Sequence, residues 1–509
     1  MKSWTEEKLG AEAREALKRG IKRVASPVKI TMGAKGRNVV YVEYAHAKPT
    51  NDGVSIARRI YPKDPYERIG ADLIKEAAER TLEEAGDGTT CTVVVSEALV
   101  DEGEKFIAEG KSPMELRSEL EAAKDEVVAA LEDLAVDVKG HKDILNVAKV
   151  SVEDDEMAEI VTEAVEKAGK YGVVIVEEGS GYTIEKEEVK GYFWNRGYVS
   201  PYMITNEKDN TAVLEECPVI VTDRYMNLNK DLMQTLNELK MAGNTKALVI
   251  VDRCEGELLQ SLIVNKVKGI FTTIVVSKPG TLEELEDIAA VTGAMAITKD
   301  KGIKLITAGH CGFAKKVVVE ENKITIITDE SPKIDARVKD LDEMLAKAKK
   351  DGKESETESL ITRRAKLSDG IVMLRVGAKT EGERKYKKDK MDDAVAACKA
   401  AIEEGIVAGG GDALSTIASQ LDQKTDGAKV MVRALRIPHE QILSNAGIKY
   451  DGNSYNVKTG KVVKDMIKEG IIDPAKVLRC AVENAVSFAG NFLTLEAVIA
   501  DFQEEIEQQ

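Results

Sequence analysis

The residues best suited to chemistry lie in AGDGTTCTVVVSEALV, Ala85 to Val100, where one acidic side chain stands between two glycines. Asp87 could hold a hard cation such as Mg²⁺, and Thr89 and Thr90 could donate hydrogen bonds to phosphate oxygens. Glycine also lets a backbone approach a ligand closely. The pattern therefore favours a nucleotide site, although Gly-Asp-Gly suits an ordinary surface turn equally well.

Two further glycine turns precede predicted helices. NDGVSIARRI places Asp52 before Gly53 at one helix start, and EEGIVAGGGDAL places Gly409, Gly410 and Gly411 at another. Helix N-termini and bare glycine backbone both favour anions. Three such turns in one chain indicate a shared polyphosphate site, even though the common phosphate-loop pattern G-x-x-x-x-G-K-[ST] is missing.

Length and composition narrow the class of protein. The chain has 509 residues, of which 43% are apolar and 32% charged, and this length predicts about three domains. A net charge of -16 argues against nucleic acid and against membranes as partners, because both carry negative charge. The sequence has no apolar run of eighteen residues and no signal-peptide pattern, so we expect a cytoplasmic protein.

The cysteines and histidines give little support to metal binding or covalent catalysis. The six cysteines are scattered and form no C-x-x-C pair, as expected of reduced thiols. His310 beside Cys311 is the only His/Cys neighbour in a chain with four histidines, so a metal site there is a weak hypothesis. The sequence also gives no sign of a Ser/His/Asp or Cys/His nucleophile.

The elements that must position the glycine turns change in character along the chain. Residues 1 to about 134 are predicted to be mostly helical from the first residues on, with a hairpin in GRNVVYVEYAHAKPTNDG. CPVIVTD, KALVIVD and IFTTIVVSKPG are short strand candidates between helices, which is typical of an α/β domain. Helices then dominate from EGERKYKKDK onward, and QEEIEQQ is predicted to be a solvated tail. This order predicts one domain inserted into another.

Seven ordered motifs, spread from about residue 10 to residue 502, give the chain a close resemblance to the chaperonins (Hsp60 family), which are ring-forming, ATP-driven folding machines. The motifs are TMGAKGRNVV, NDGVSIARRI, GDGTT, RGYVSPYMI, CEGELLQSLIVNKVKG, MDDAVAACKAAIEEGIVAGGG and GIIDPAKVLRCAVENA. The chain most resembles the bacterial-type (group I) large subunit. Asn51 and YNVKTGKVVKDM are archaeal-type features, and Ala34 and Cys91 also depart from the bacterial pattern.

The resemblance implies a multidomain α and α/β fold, with an α/β domain inserted in the middle of the chain. The implied domains are a helical equatorial ATP-binding domain (1–134 and 405–509), a small intermediate domain (135–190 and 378–404) and an α/β apical substrate-binding domain (191–377). Hinges are implied at Gly191, Gly377 and Gly405.

The resemblance also implies roles for the site residues. Asp87 is expected to bind Mg²⁺, and Asp393 of MDDAV to orient or deprotonate the attacking water, with Asp52 on the same side. Asp392 points about 100° away on a helix and is predicted to be solvated. The other residues expected at the nucleotide are Thr31, Met32, Gly33, Asn51, Gly53, Gly88, Thr89, Thr90, Cys91, Val150, Ser151, Gly409, Gly410, Asn456 and Asp473. ATP and Mg²⁺ are the implied cofactors, and the departures leave K⁺ open.

An apolar rim in the middle domain is the implied site for substrate proteins. The matching positions are Tyr198, Tyr202, Met203, Met233, Leu236, Leu259, Ile263 and Val264. Taken alone, Leu259, Ile263 and Val264 would suit the inward face of an amphipathic helix. With the resemblance, the preferred interpretation is a surface that captures non-native proteins.

The implied function is ATP-driven capture, enclosure and release of unfolded proteins by a homo-oligomeric double ring of 14 subunits. The connection RYMNLNKDLMQTLNELKMAGNT has room for one helix of about four turns and none for a long protrusion. A separate small co-chaperonin ring is therefore the expected lid. The alternatives are an uncapped ring and a passive holdase, and the joint presence of Asp52, Asp87 and Asp393 favours an active ATPase.

Overall fold

The computed structural model describes residues 3–43, 46–152, 154–170, 172–179, 181–207, 210–303, 305–329, 332–350, 353–368 and 371–503. The chain divides into two compact units, one of Met1–Glu163 with Tyr386–Gln509 and the other of Ala164–Lys385. The second unit is thus inserted in the sequence of the first. The predicted division into three domains, built from five segments of the chain, is finer than these two units and stays a prediction.

The secondary structure of the described residues is as follows. The helices are α1 (Gly10–Lys29), α2 (Gly53–Arg58), α3 (Pro65–Ala85), α4 (Thr89–Ala108), α5 (Pro113–Leu134), α6 (His141–Val152), α7 (Asp155–Ala168), α8 (Met233–Met241), α9 (Gly256–Val267), α10 (Leu282–Thr292), α11 (Pro332–Lys350), α12 (Glu354–Ser368), α13 (Glu381–Glu404), α14 (Asp412–Gln420), α15 (Asp426–Asn445) and α16 (Ala475–Leu493). The strands are β1 (Ser3–Leu9), β2 (Val39–Glu43), β3 (His46–Thr50), β4 (Val173–Glu178), β5 (Ile184–Trp194), β6 (Ala212–Val221), β7 (Tyr225–Met226), β8 (Lys246–Val251), β9 (Arg253–Cys254), β10 (Thr272–Ser277), β11 (Gly312–Val319), β12 (Ile324–Thr328), β13 (Ile371–Val376), β14 (Ile406–Ala408), β15 (Tyr455–Asn456), β16 (Lys461–Val462), β17 (Ile472–Pro474) and β18 (Ala497–Gln503). Among these described helices, none combines the length and the apolar character needed to cross a bilayer.

The core of the first unit is built around α4, which packs against α1, α3, α15 and α16. Residues 91–100 of α4 are all buried and mostly apolar, as expected for a helix surrounded by other elements. The neighbouring helices α1 and α3 approach very closely, since a Cβ atom on Gly20 would lie 1.8 Å from the carbonyl oxygen of Glu67. This tight helical core provides the fixed frame for the glycine turns.

Residues near the two ends of the first unit form a strand pair, where a helix was predicted at the first residues. Strand β1 pairs antiparallel with β18, with Trp4 opposite Phe502, and the two rings stack at 6.0 Å between centroids. The prediction of helix from the first residues was wrong because β18 satisfies the backbone groups of β1, and a distant partner leaves no trace in local periodicity. Of the predicted tail, residues 504–509 lie outside the described residues.

The second unit contains an eight-stranded sheet in the order β10-β8-β6-β11-β12-β5-β13-β4. The pairs β10–β8, β8–β6 and β13–β4 are parallel, and the others are antiparallel. Leu248 and Ile250 of β8 pack with α10, α11 and α12, whereas Val249 and Val251 pack with α8 and α9. Helices therefore cover both faces of the parallel strands, which explains the unbroken apolar run in KALVIVD.

Several other predicted elements are confirmed, and one helix is shorter than predicted. The strand candidates CPVIVTD, KALVIVD and IFTTIVVSKPG are β6, β8 and β10, and the predicted hairpin is formed by β2 and β3. The predicted four-turn helix between β6 and β8 is α8, which has only 9 residues. It is shorter because the residues before it form β7 and a 3-10 turn. This connection is fully described and contains no long protrusion.

A buried ion cluster joins three helices of the second unit. Asp287 of α10 is fully buried, and its carboxylate accepts hydrogen bonds from Arg337 of α11 at 2.7 Å and from Arg363 of α12 at 2.7 and 2.9 Å. Two cations thus compensate the desolvation of one carboxylate. The cluster fixes α10 against the α11–α12 pair.

We expect Asp287→Ala to lower the free energy of unfolding of the second unit by about 3–5 kcal/mol, because two guanidinium groups lose their buried partner. Asp342→Ala is the matched control, since Asp342 pairs with Arg364 between α11 and α12 at an exposed position and should cost less than about 1 kcal/mol. Denaturant unfolding would be followed by the fluorescence of Trp194 in a Trp4→Phe background. Equal losses in both variants would contradict the role of the buried cluster.

Candidate functional site

The central turn of the candidate site joins two helices of the first unit. Asp87 lies between Gly86, which ends α3 with φ 73°, and Gly88, which caps the start of α4 with φ 93°. Both φ values lie in the left-handed region, where glycine is the residue of lowest cost. The Asp87 carboxylate is therefore displayed at the N-terminal, partly positive end of α4.

The start of α2 lies against the start of α4. A Cβ atom on Gly53 would lie 2.4 Å from Thr90 Oγ1 and 3.5 Å from Thr89 Oγ1, so a larger residue would clash. Asp52 caps α2, and its carboxylate accepts hydrogen bonds from two backbone N–H groups of the first turn, at 2.9 and 3.1 Å. The contact brings two of the three predicted turns, with their hydroxyl groups, to one place.

Asp87 and Asp393 are buried carboxylates whose ionisation is disfavoured further by the nearby Asp52. Burial raises the pKa of Asp87, and the nearby Asp52 raises it further. Burial also raises the pKa of Asp393 well above its usual value, with Asp87 and then Asp52 adding to the effect. Lys390 on α13 lowers both pKa values. Three carboxylates facing one ammonium group leave an excess of negative charge that a bound cation would neutralise.

The third glycine turn meets the same cluster through Asp473. Strands β14 and β17 pair antiparallel, and the backbone N–H groups of Gly410 and Gly411 favour the charged form of the Asp473 carboxylate. Burial nevertheless raises the pKa of Asp473 to about 6, with Asp87 adding to it. Burial, Asp473 and Asp87 raise the pKa of Cys91 to about 12, so Cys91 is a protonated thiol and a poor nucleophile at neutral pH.

The predicted phosphate-lining residues Thr31, Met32 and Gly33 form the turn after α1, and this turn is fixed on α15. Asn445 Nδ2 donates hydrogen bonds to two carbonyl groups of this region, each at 2.9 Å. The Thr31 hydroxyl donates to a carbonyl of α1 at 2.8 Å, which leaves its oxygen lone pairs available. The contacts define a rigid turn, and its role at a nucleotide stays a prediction.

Four other predicted nucleotide contacts lie in three different parts of the first unit. Asn456 lies in the β15–β16 hairpin, where its Oδ1 accepts from the backbone N–H groups of the following turn at 3.1 and 3.3 Å. Val150 and Ser151 lie in the last turn of α6, with Val150 exposed. Asn51 directly precedes the cap of α2. Contact of these residues with a nucleotide stays a prediction.

The three predicted hinge glycines are all sites of close backbone packing. A Cβ atom on Gly191 would lie 2.1 Å from the carbonyl oxygen of Ile326, and one on Gly377 would lie 2.5 Å from that of Gly181. Gly405 has φ 83°, between α13 and β14. Packing alone explains glycine at these positions, so the hinge roles stay predictions.

The predicted rim residues differ in exposure. Met203 and Leu236 are core residues, at 1% and 4% exposed, whereas Tyr202 is 70% exposed. Tyr198 and Met233 are partly buried against the same core cluster. Met203 and Leu236 therefore belong to the core beneath the predicted rim in this structure.

Helix α9 separates a buried face from a more exposed one. Leu258 and Leu262 are buried, at 0% and 1% exposed, and Val264 is 46% exposed. Leu259 and Ile263 lie between these extremes. The inward face of α9 is therefore formed by Leu258 and Leu262. Leu259, Ile263 and Val264, which taken alone would suit that face, lie at the edge of the core.

The metal hypothesis for His310 and Cys311 gains no support. His310 Nδ1 accepts a hydrogen bond from the backbone N–H of Thr307 at 3.1 Å, so its side chain closes a local turn. Across the described ranges, no group of three or more His, Cys, Asp and Glu residues is arranged to hold a metal ion. A cation at Asp87 would therefore need ligand oxygens from a bound molecule as well.

Lys390 is the functional candidate that sequence reasoning missed. It lies three residues before Asp393 on α13, so both side chains are on one face of the helix. The motif KDKMDD contains this spacing, but Lys390 is one of many charged residues there, and the sequence does not single it out. Asp392, in contrast, pairs with Lys388 at 3.3 Å and is partly exposed, as expected for the carboxylate that points away.

A helical unit interrupted in sequence by an α/β unit, with carboxylates at the starts of α2 and α4, is the arrangement that the chaperonin resemblance implies. The chain belongs to the TCP-1/cpn60 chaperonin family, whose model matches residues 24–280 and 246–503. The predicted family is thereby confirmed, while the bacterial or archaeal branch stays a prediction.

Solved structures agree with this assignment. The chain is similar to the chaperonin gp146 from the bacteriophage EL 2 (Pseudomonas aeruginosa), crystallised in the presence of ATP-BeFx. One crystal form has 21% identity and a TM-score of 0.74, and another has 22% identity and a TM-score of 0.66. Each comparison covers 98% of this chain and 99% of the other. The predicted multidomain α and α/β fold class is confirmed.

We expect Asp393→Asn to raise the melting temperature of the nucleotide-free protein at pH 8. The pKa of Asp393 is raised in the folded state, so its ionisation destabilises the fold as pH rises above the unfolded value near 4. The difference between variant and wild type should therefore shrink toward pH 4, where both side chains are neutral. Melting curves across pH 4–8 test this, and a difference independent of pH would contradict it.

Proposed function

We propose that the protein is an ATP-driven chaperonin that binds Mg-ATP at the turns around Asp87 and hydrolyses it to drive capture and release of non-native proteins. The observation that carries the proposal is the placement of Asp52 and Asp87 at the starts of α2 and α4, with the buried Asp393 of α13 close enough to both to feel their charge. Helix N-termini supply backbone donors for phosphate oxygens, and the carboxylates supply the affinity for a cation.

The residues present fit a magnesium nucleotide. Asp87 offers one cation ligand, and Mg²⁺ usually takes one or two carboxylates together with phosphate oxygens and water. When bound, Mg²⁺ would neutralise phosphate charge and favour departure of the γ-phosphate. The hydroxyl groups of Thr89 and Thr90 lie at the same helix start, where they can donate to phosphate oxygens.

Asp393 is the best candidate to activate the attacking water. A general base works best when its pKa is close to the working pH, and the raised pKa of Asp393 moves it in that direction. Lys390, one turn earlier, opposes this rise in the pKa of Asp393. Asp52 is held by two backbone N–H groups and lies close enough to share this role.

The edge of α9 and the exposed Tyr202 support a protein-binding surface on the second unit. Val264 and Val267 are 46% and 77% exposed on the same helix, and apolar side chains in solvent are typical of protein contact sites. Apolar contacts are not directional, so they suit many different unfolded chains. Several such surfaces in one ring would add avidity.

Two small sheets of the first unit support assembly with further copies of the chain. Val40 and Val42 on the β2–β3 hairpin are 62% and 71% exposed, and Leu9 and Ile499 on the β1–β18 pair are each 64% exposed. Two-stranded sheets with free edges and apolar side chains are rarely stable alone. We propose that they are covered in a homo-oligomeric double ring of 14 subunits.

The short connection between β6 and β8 supports a separate co-chaperonin as the lid of this ring. An uncapped ring and a passive holdase remain the alternatives. Steady ATP turnover by the purified protein separates the holdase from the machine, since a holdase would bind ATP without hydrolysing it.

We expect Asp393→Ala to slow ATP hydrolysis by roughly 10²–10⁴ while leaving nucleotide affinity near the wild-type value, because a general base is lost. Asp87→Ala should weaken Mg-ATP binding itself. Asp392→Ala is the matched control on the same helix and should keep its turnover. Turnover and equilibrium binding would be measured on all three, and normal hydrolysis by the Asp393 variant would refute the assignment.

We expect Val264→Ser to weaken capture of an unfolded model protein by about tenfold, since several subunits lose an apolar contact at once. Its melting temperature and ATPase rate should stay near wild type. Leu262→Ser is the control for a buried neighbour and should destabilise the protein by about 2–5 kcal/mol. A large stability loss in the Val264 variant would show that Val264 belongs to the core.

A further inference from the structure

His439 is a buried histidine that packs directly against the third glycine turn. It follows Pro438 inside α15 and is 3% exposed. A Cβ atom on Gly411 would lie 2.6 Å from the backbone nitrogen of His439 and 3.1 Å from its Cβ atom. The helix and the turn therefore touch, with no room for a side chain between them.

The ring of His439 holds a defined orientation. Its Nδ1 lies 2.8 Å from the carbonyl oxygen of Gly410, and because a carbonyl can only accept, Nδ1 must carry the proton. The ring also meets Tyr450 edge to face, at 5.6 Å between centroids and 83° between planes. One polar and one aromatic contact thus fix the ring.

The carbonyl that His439 holds belongs to the same peptide group as the N–H of Gly411. In a trans peptide the C=O and N–H bonds point in opposite directions. The N–H faces the Asp473 carboxylate on one side, and the carbonyl meets His439 on the other. Rotation of this peptide plane would break both interactions, and glycine on both sides would otherwise permit that rotation.

We infer that His439 is a positioning residue for nucleotide binding, which clamps the Gly410–Gly411 peptide through its Nδ1–H so that the turn presents its backbone to the nucleotide in one orientation. The inference rests on the proposed function. His439 touches the turn and not the reacting atoms, so it should affect affinity for ATP more than the rate of hydrolysis.

Two substitutions can distinguish a packing role of the His439 ring from a role of its Nδ1–H as a hydrogen-bond donor. His439→Phe keeps the ring volume and the edge contact with Tyr450 but removes the donor. His439→Asn loses volume, yet its amide nitrogen can take the place of Nδ1. The two variants therefore separate the hydrogen bond from the packing.

We expect His439→Phe to raise the KM for ATP about tenfold, the effect of leaving a buried carbonyl without a partner, with kcat changed less than about threefold. His439→Asn should restore most of the affinity. Steady-state ATPase kinetics and equilibrium ATP binding would be measured on the full-length protein, with melting curves to confirm folding. If the Phe variant does not fold, His439→Ala takes its place as the variant without a donor.

A donor-free variant with wild-type KM would overturn the inference, as would an Asn variant with the same loss as the Phe variant. A fall in kcat with unchanged KM would also overturn it, because it would place His439 in the chemical step. If the wild-type protein bound no ATP, the proposed function would fail and the inference with it, and this result is distinguishable from an effect confined to the variants.

Discussion

The burial of two carboxylates, Asp87 and Asp393, is the constraint on which the candidate site depends. Burial disfavours their ionisation, neighbouring carboxylates disfavour it further, and the raised pKa values of Asp87 and Asp393 express this cost. The fold offsets the cost with the N-terminal ends of α2 and α4, with the ammonium group of Lys390 and with a large apolar core around α4. A functional site that costs stability is thus supported by the apolar packing around it.

The need for glycine at the turns is the second constraint. The polar side chains of the site can approach the turn backbone this closely only where the turn residue has no side chain. Gly53 lies against Thr90, and Gly411 lies against His439, at distances that exclude a Cβ atom. The same residue type that allows close approach also allows the backbone to move. Neighbouring side chains must therefore supply the rigidity that glycine lacks, and Asp473 and His439 do so at the third turn.

The sequence predicted those features that depend on local pattern. The three glycine turns at helix starts, the strands β6, β8 and β10 and the helix carrying Asp393 all follow from residues close together in the chain. Features that depend on distant partners could not be predicted in this way. The strand β1 needs β18 about 490 residues later to satisfy its backbone, and the contact of His439 with Gly410 joins residues 29 positions apart. The sequence shows Lys390 near Asp393, but its role could be recognised only once the structure showed which carboxylates it faces.

Electrostatics also explain how the Asp393 carboxylate would respond to cation binding in the proposed ATPase cycle. Without a cation, Asp87 and Asp52 repel Asp393, and this repulsion opposes its close approach in the ionised form. A divalent cation at Asp87 would neutralise this negative charge, lower the pKa of Asp393 and so favour its ionised form. The same binding event would then supply the charge that phosphoryl transfer requires and favour the ionised form of the base.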